Sequence, residues 1–330
     1  MKPMPLKCAG LLATTLMLSL ACQAVAQPPA FTPEMMRAMA AEMQRYNALP
    51  DTQGTGPYPA LKEESALLPH YVLYRPANLS ALGKRKLGIL TWGNGGCMAD
   101  GASARLHLSE IASHGYLAIA PGTIRTGPGS TPVPAEAPRA MEGGKFPPIQ
   151  TTSGDLIKAI DWAVAENGRK ASPWFHKLDP GRIAVAGHSC GGLQALQAAA
   201  DPRVKAVIIN NSGIFAGGKS PMTGMTIDKP ALKLLHTPVI YILGGPTDIA
   251  YANGMDDFAR IDHVPVMVAN LAVGHGGTFS QPNGGVVAQV SLDWLAWQLS
   301  GDKSAAARFS GTHCGLCTDP GWTVQRKKIK

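Results

Sequence analysis

Several features that would indicate a membrane, metal or nucleic-acid protein are missing from this chain of 330 residues. No internal apolar run reaches the ~20 residues that a membrane-spanning helix needs. The single C-x-x-C pair, Cys314 and Cys317, has no second such pair or histidine pair to complete a zinc site, so we expect neither metal nor cofactor. No stretch interleaves basic and aromatic residues, which argues against a nucleic-acid partner, and there is no internal repeat.

The composition is that of a chain that folds around a large core. Hydrophobic residues make up 45% of the sequence, and the length suits one α/β domain of ordinary size or two small ones. The net charge of +8 is mild, and the basic residues are scattered except at Arg326–Lys328 and Lys330 near the C-terminus. Such a charge indicates solubility or weak attraction to surfaces. It predicts nothing about the oligomeric state.

The first 26 residues have the pattern of a signal peptide. Lys2 and Lys7 form a basic start, Leu11–Leu20 is a short apolar run, and Ala24–Ala26 is a small-x-small cleavage site. We therefore expect export to the periplasm or the medium, with a mature chain that begins near Gln27.

The mature chain divides into three parts by pattern. Residues 27–68 predict a helix over 33–48 and a linker rich in proline and glycine, residues 69–301 predict the main domain, and residues 302–330 form a tail with the C-x-x-C pair. The proline- and glycine-rich stretch 121–150 predicts a long loop.

Apolar runs alternate with helical stretches throughout the main domain. Strands that are apolar throughout are buried on both faces, so the pattern predicts an α/β fold with a mostly parallel central sheet and helices on both sides. The expected strands are 70–74, 87–92, 116–120, a run from Ile183, 204–209, 239–243 and 264–271, the last of which we expect to be the final strand. The expected helices are 103–113, 154–165, a run after Ser189, and 286–299.

The sequence Gly-His-Ser-Cys-Gly at 187–191 lies between a predicted strand and a predicted helix. A G-x-S-x-G turn in this context lifts the serine hydroxyl above the sheet edge at a helix N-terminus. The pattern therefore predicts Ser189 as a nucleophile, with a plain structural turn as the alternative.

A serine hydroxyl needs a base, and the base needs a carboxylate. His275 lies in a Gly-His-Gly-Gly loop just past a predicted strand, and Asp248 follows the strand before it, so both are expected at the carboxyl edge of the sheet. His188 adjoins the serine but should point away from it. Asp256 and Asp257 are rival acids, but they fall in a helical stretch that we interpret as a solvated face.

An oxyanion hole needs backbone donors. The N–H of Cys190 and that of Asn94 or Gly95, in a glycine-rich turn after a strand, are predicted to supply them; a plain glycine turn is the alternative. Trp92, just before this turn, is expected either to line an acyl pocket or to pack in the core.

The four cysteines that remain after export are even in number, which favours disulfides in an oxidising compartment. Cys97 and Cys190 lie on loops that should converge at the predicted hole, so we predict a bridge between them. Cys314 and Cys317 then either pair locally or stay as a reducible C-x-x-C.

Together these residues resemble the α/β-hydrolase superfamily, in particular the dienelactone-hydrolase-like and polyester-hydrolase (cutinase-like) branch of secreted esterases. The resemblance rests on Gly-His-Ser-x-Gly-Gly at 187–192, Thr-Asp-Ile-Ala at 247–250 and the Gly-His after the last predicted strand, and it spans about residues 69–300. It implies the α/β-hydrolase fold and a carboxylic-ester hydrolase without metal or cofactor, acting on small or polymeric esters. The chain has Trp92–Asn94 where such polyester hydrolases usually have Pro-Gly-aromatic, and Cys190 where they usually have Met.

The sequence thus predicts an exported serine esterase that works through an acyl-enzyme. Two alternatives stay open at this stage. One is a catalytically silent protein of the same fold that binds a partner in the cell envelope. The other is an acyltransferase or amidase that uses the same three side chains.

Overall fold

The computed structural model describes residues 33–130, 148–217 and 220–330. The predicted signal peptide, residues 1–26, and most of the predicted loop 121–150 lie outside the described residues. Within the described ranges, no helix combines the length and the apolar character needed to cross a bilayer.

In the part of the chain that the structure describes, nine strands form one sheet in the order β1-β2-β4-β3-β5-β6-β7-β8-β9. Strands β3 to β8 run parallel to one another, whereas β1, β2 and β9 are antiparallel additions at the two edges. The strands are β1 Ala60–Ser65, β2 Leu68–Pro76, β3 Leu87–Gly93, β4 Tyr116–Pro121, β5 Leu178–His188, β6 Val204–Asn210, β7 Val239–Leu243, β8 Val266–Leu271 and β9 Trp322–Lys327. This is the α/β-hydrolase fold that the sequence predicted.

Eight α-helices accompany the sheet in the described residues. They are α1 Pro33–Ala48, α2 Arg105–Ser113, α3 Ser153–Gly168, α4 Cys190–Ala198, α5 Tyr251–Arg260, α6 Gly285–Ser300, α7 Lys303–Ala306 and α8 Gly315–Thr318. Short 3-10 turns lie at Leu79–Leu82, Gly95–Cys97, Lys229–Leu234 and Pro282–Gly284.

The core has two layers because successive side chains of a strand point to opposite faces of the sheet. Ile89 and Val185 contribute to the layer that α3, α4 and α5 cover. Leu90 and Ala184, their neighbours in sequence, contribute to the layer that α2 and α6 cover. Strands that are covered on both faces need apolar residues at successive positions, without alternation. The two layers therefore confirm the predicted parallel sheet with helices on both sides.

The topology brings two loops together at the centre of the sheet. The chain leaves β3 to form β4 on one side and later returns to form β5 on the other side of β3. Loops that leave such neighbouring parallel strands in opposite directions open a crevice at their carboxyl ends. The turn after β3 and the Ser189 turn after β5 border this crevice.

The expectation that strand 264–271 ends the sheet is wrong. β9, which lies in the predicted tail, pairs antiparallel with β8 and forms the edge, and β1, which lies in the predicted linker, forms the opposite edge. Both edge strands are short and carry charged residues, as edge strands commonly do, and the burial pattern of β9 does not alternate cleanly. The apolar pattern that marks a buried strand is therefore absent from both.

The N-terminal helix is attached to the main domain through a buried arginine. Arg105, at the start of α2, is fully buried and donates from Nη2 to the carbonyl oxygens of Tyr46 (2.6 Å) and Leu49 (2.8 Å) at the end of α1. Its Nε lies 3.1 Å from Oδ1 of Asp51, and its guanidinium lies over the Tyr46 ring. A buried cation needs such partners, so α1 and α2 form one unit.

Candidate active site

Ser189 occupies a sharp turn between β5 and α4. Its backbone has a φ of 53°, in the left-handed region that non-glycine residues seldom adopt. The flanking glycines allow the turn, because a Cβ on Gly187 would lie 2.2 Å from the carbonyl oxygen of Gly191, and a Cβ on Gly191 would lie 2.0 Å from the carbonyl of Gly93. Glycine is needed at positions 187 and 191 because the backbones at the end of β3, the end of β5 and the start of α4 are in contact.

The structure brings together the three side chains that the sequence singled out. The Ser189 hydroxyl lies 2.9 Å from Nε2 of His275, so it can donate to that nitrogen. Nδ1 of the same imidazole donates to Oδ1 of Asp248 at 2.6 Å. The three residues come from the loops after β5, β7 and β8, all at the carboxyl edge of the sheet.

The environment of Asp248 keeps its carboxylate ionised. Burial alone would raise the pKa of this group, but the hydrogen bond and charge of His275, together with the N–H groups of Ala250 and Gly244, outweigh burial and lower the pKa to about 2. An ionised Asp248 can hold the proton on Nδ1 of His275. Nε2 then faces the serine as an acceptor.

Asn211 is a residue of this site that the sequence analysis did not identify. Its Nδ2 donates to Oδ2 of Asp248 (2.9 Å) and to the carbonyl oxygen of Gly274 (3.0 Å), the residue before His275. Asn211 is buried and has a φ of 46°. One side-chain amide therefore links the acid to the loop of the base. The sequence did contain a signal for Asn211. This residue directly follows the strand β6 and so lies at the carboxyl edge of the sheet, as Asp248 and His275 do after their own strands.

Replacing Asn211 by aspartate is expected to lower kcat by on the order of tenfold to a hundredfold with little change in KM, because a hydrogen bond to a charged group is lost and a like charge gained. The new carboxylate would lie beside Asp248 and add negative charge near His275, which favours the protonated imidazole, so the acid limb of the kcat profile should move to higher pH. Steady-state kinetics across pH measure both effects.

The alanine variant at position 211 serves as the comparison for that profile. It removes the donor without adding charge, so it should lower kcat but move the acid limb less. An aspartate variant whose kcat and pH profile match the wild type would contradict the role of this amide.

The predicted oxyanion donors lie at the mouth of the same crevice. Gly95 opens a 3-10 turn directly after β3, and the Asn94 side chain is used to hold this turn, since its Nδ2 donates to the carbonyl oxygens of Met98 (2.9 Å) and Pro121 (2.7 Å). A Cβ on Gly191 would lie 2.6 Å from the Asn94 nitrogen, so this nitrogen approaches the start of α4 closely. Within the described residues, no acceptor is found for the N–H of Asn94, Gly95 or Cys190.

A disulfide joins the two loops that carry these donors. Cys97 and Cys190 are bonded, with a Cα–Cα distance of 5.2 Å, and both are buried. The predicted bridge is thus present. Cys314 and Cys317 also form a disulfide, in the short α8 segment near β9. The first bridge connects the turn after β3 to the first residue of α4.

A cluster of buried and half-buried rings lies beneath the site. Trp92 is wholly buried against His107 and Phe279. It was expected either to line an acyl pocket or to pack in the core, and the structure places it in the core. His188 points away from the serine hydroxyl, as expected, and its Nε2 donates to the carbonyl oxygen of His275 at 2.8 Å. Burial, aided by the neighbouring imidazoles, lowers the pKa of His188 to about 4 and that of His107 to about 3. Both rings are therefore neutral in the folded protein near neutral pH.

These two histidines should make the protein sensitive to mild acid. The unfolded chain binds protons on these two rings below their ordinary pKa of 6.5, whereas the folded protein does so only near 4 or below. Their contribution to the free energy of unfolding is therefore fully present above pH 6.5 and is lost as the pH falls towards 4. Between about pH 7 and about pH 4.5, wild type should lose roughly 2 kcal/mol more unfolding free energy than His107→Met, which removes one such group. Urea denaturation at both pH values measures this difference.

The comparison with the variant removes contributions from other buried groups. Burial raises the pKa of Asp257 to about 6, which stabilises the fold as pH falls through the same window, but wild type and variant share this effect. The low pKa of Asp248 acts only below about 4. Equal losses of unfolding free energy in both proteins would contradict a neutral buried His107.

The interpretation of Asp257 as part of a solvated face is wrong. The side chain is fully buried and accepts from the Ile214 N–H (2.8 Å), from Nζ of Lys229 (2.7 Å) and from the Tyr241 hydroxyl (3.3 Å). Helix α5 turns this residue inward because the loop after β6 leaves a backbone N–H and a lysine that need a buried acceptor. Asp256, its neighbour, is half-buried and pairs with Lys229 and Arg260.

Comparison with protein-family models gives a match over part of the chain. A family model described as PET hydrolase-like matches residues 147–212, a segment that contains α3, β5, the Ser189 turn and β6. No curated protein matches the chain. The family match confirms the resemblance to the polyester-hydrolase group of the α/β-hydrolases, and it supports a hydrolase that cleaves esters.

Proposed function

We propose that the protein is an exported serine hydrolase that cleaves carboxylic esters through an acyl-enzyme. The observation that carries the proposal is the chain of two hydrogen bonds from Ser189 through His275 to Asp248. A serine is a poor nucleophile unless a base takes its proton, and an imidazole held by a carboxylate does so.

In the first step, Ser189 attacks the ester carbonyl while His275 takes the hydroxyl proton at Nε2. Asp248 holds the imidazole through Nδ1 and stabilises the imidazolium that forms. Negative charge develops on the carbonyl oxygen, where the N–H of Cys190 and that of Asn94 or Gly95 stabilise it. The tetrahedral intermediate collapses when His275 donates its proton to the leaving alcohol, and an acyl-serine remains.

In the second step, water replaces the alcohol. His275 takes a proton from the water, which attacks the acyl carbonyl, and the same N–H groups stabilise the second oxyanion. Collapse returns the proton from His275 to Ser189 and releases the acid. No group beyond those named is needed to balance protons and charge in either step.

The rim of the site favours an uncharged substrate. The loop that carries the base, residues 272–285, has no charged residue. Exposed apolar side chains lie in the loops after β3, β7 and β8, namely Met98, Ile249 and Val273. A base loop without charged residues, together with these apolar side chains, suits esters, small or polymeric, that carry no charge near the bond to be cleaved.

Export is supported by the cysteines together with the N-terminal sequence. Disulfides persist in oxidising compartments and are rare in the cytosol, and this chain forms two. The basic, apolar and small-residue segments at 1–26 are those of a cleavable signal. We therefore propose the periplasm or the medium as the site of action.

The test is a panel of esters that varies acyl length and alcohol bulk, run on wild type and Ser189→Ala. Wild type should hydrolyse short-chain p-nitrophenyl esters and react with a fluorophosphonate, and Ser189→Ala should do neither while unfolding as wild type does. Product analysis with an added alcohol distinguishes hydrolysis from acyl transfer. A folded wild-type protein that is inert to every ester and to the fluorophosphonate would overturn the proposal.

A further inference from the structure

The end of the molecule opposite the site carries a group of basic side chains. Lys84, Arg85 and Lys86 come just before β3, Lys205 lies at the start of β6, and Lys233 precedes β7. Lys328 joins them, because β9 runs antiparallel to β8 and Lys327 pairs with Val266, the first residue of β8. All are at the amino edge of the parallel strands, whereas Ser189, Asp248 and His275 are at the carboxyl edge.

These cations, which we call the basic end (Lys84, Arg85, Lys86, Lys205, Lys233 and Lys328), are exposed and have no carboxylate within 4.0 Å among the described residues. Several cations elsewhere are paired, since Lys62, Lys158 and Lys229 each contact an aspartate. Their charge therefore faces solvent without a neutralising partner.

Several carboxylates near the basic end are already paired with arginines. Arg182, Arg203 and Arg260 each hold an aspartate at 2.6 to 2.9 Å. Asp262 and Asp302 remain exposed at this end, and the six unpaired cations outnumber them. The excess of unpaired positive charge at this end does not follow from the mild net charge of the whole chain.

Two further features of the basic end suit a surface of anionic headgroups. A cleft of about 250 Å³ is lined by Arg85, Lys86, Arg182 and His114, together with Tyr58 and Leu82, so it presents cations to one small anionic group. Leu234, beside Lys233, is 63% exposed and can enter the apolar side of an interface. Spread-out lysines are point charges without the paired geometry that reads a particular ligand.

We propose that the basic end docks on an anionic phospholipid surface and holds the protein with its ester site facing away from the membrane. Basic side chains are attracted to anionic headgroups within about a Debye length, ~10 Å at moderate salt, so binding should be reversible and sensitive to salt. A bilayer is favoured over nucleic acid because the exposed Leu234 lies beside Lys233, and Tyr58, the aromatic residue that lines the cleft, is only half-exposed. The inference does not depend on the esterase proposal, because binding is measured without turnover.

The experiment is sedimentation of the mature protein with vesicles. Binding is expected to vesicles of phosphatidylcholine mixed with phosphatidylglycerol, but not to phosphatidylcholine alone, and added salt should release the protein. The variant Lys86→Gln/Lys205→Gln/Lys233→Gln should lose on the order of tenfold or more in affinity because it removes exposed charge from the surface that contacts the vesicle.

The matched control removes the same number of charges elsewhere. Arg37→Gln/Arg45→Gln/Lys158→Gln changes exposed cations on α1 and α3 and should bind vesicles almost as wild type does. Urea unfolding curves of both variants should match that of the wild type, which shows that each is folded. The proposal is overturned if wild type ignores anionic vesicles, if both variants lose affinity equally, or if double-stranded DNA binds at concentrations where the vesicles do not.

Discussion

His275→Ala is expected to lower kcat for ester hydrolysis by on the order of 10⁴-fold to 10⁶-fold, with a much smaller change in KM. The imidazole is the only group within hydrogen-bond distance of the Ser189 hydroxyl among the described side chains, so nothing replaces it as base. Substrate binding depends on the rim and should survive. Steady-state kinetics on a p-nitrophenyl ester, with unfolding curves to show an intact fold, measure the effect.

A double variant tests whether the residues act as one unit. Once the base is gone, removing the nucleophile should cost little more, so Ser189→Ala/His275→Ala should be about as slow as either single variant. His236→Ala, which changes an exposed histidine near the amino edge of the sheet, is the matched control and should retain full activity. Independent, additive losses would show that Ser189 and His275 do not share a step.

The central sheet could be predicted because its strands are covered on both faces. Runs such as Val239–Leu243 are apolar throughout, and the structure has that strand at those residues. The edge strands escaped prediction for the converse reason, since β1 and β9 carry mostly polar side chains and depend on pairing with β2 and β8. Their position is a tertiary effect that no local pattern reports.

The candidate site also contains residues that local sequence predicts and residues whose contacts depend on the whole fold. Ser189 was predicted from the G-x-S-x-G turn, and Asp248 and His275 were predicted because each lies just past a strand in turn-forming sequence. Asn211 also follows a strand, but its hydrogen bonds to Asp248 and Gly274 depend on how three loops meet, and the sequence places these loops far apart. The inward turn of Asp257 depends likewise on Lys229 and on the N–H of Ile214, which only the fold supplies.

Removal of the Cys97–Cys190 disulfide, as Cys97→Ala/Cys190→Ala, is expected to lower the free energy of unfolding by about 2–5 kcal/mol. The bridge closes a loop with a sequence separation of 93 residues, so its loss restores much freedom to the unfolded chain. Urea denaturation without reductant measures this change. The comparison is Cys314→Ala/Cys317→Ala, whose bridge has a separation of only 3 residues and should contribute far less.

The same variant should also lose activity, because the bridge joins the two loops whose N–H groups are proposed to hold the oxyanion. The backbone donors remain after the substitution, but their relative position is less restricted, so kcat should fall by roughly tenfold, below the ~10²–10³-fold cost of losing one donor outright. KM should change little, since the oxyanion forms only after binding. The tail variant should keep wild-type kcat. A Cys97→Ala/Cys190→Ala protein that is less stable but has unchanged kcat would show that the bridge supports the fold alone, and that the turn after β3 keeps its donors in position through the Asn94 side chain without it.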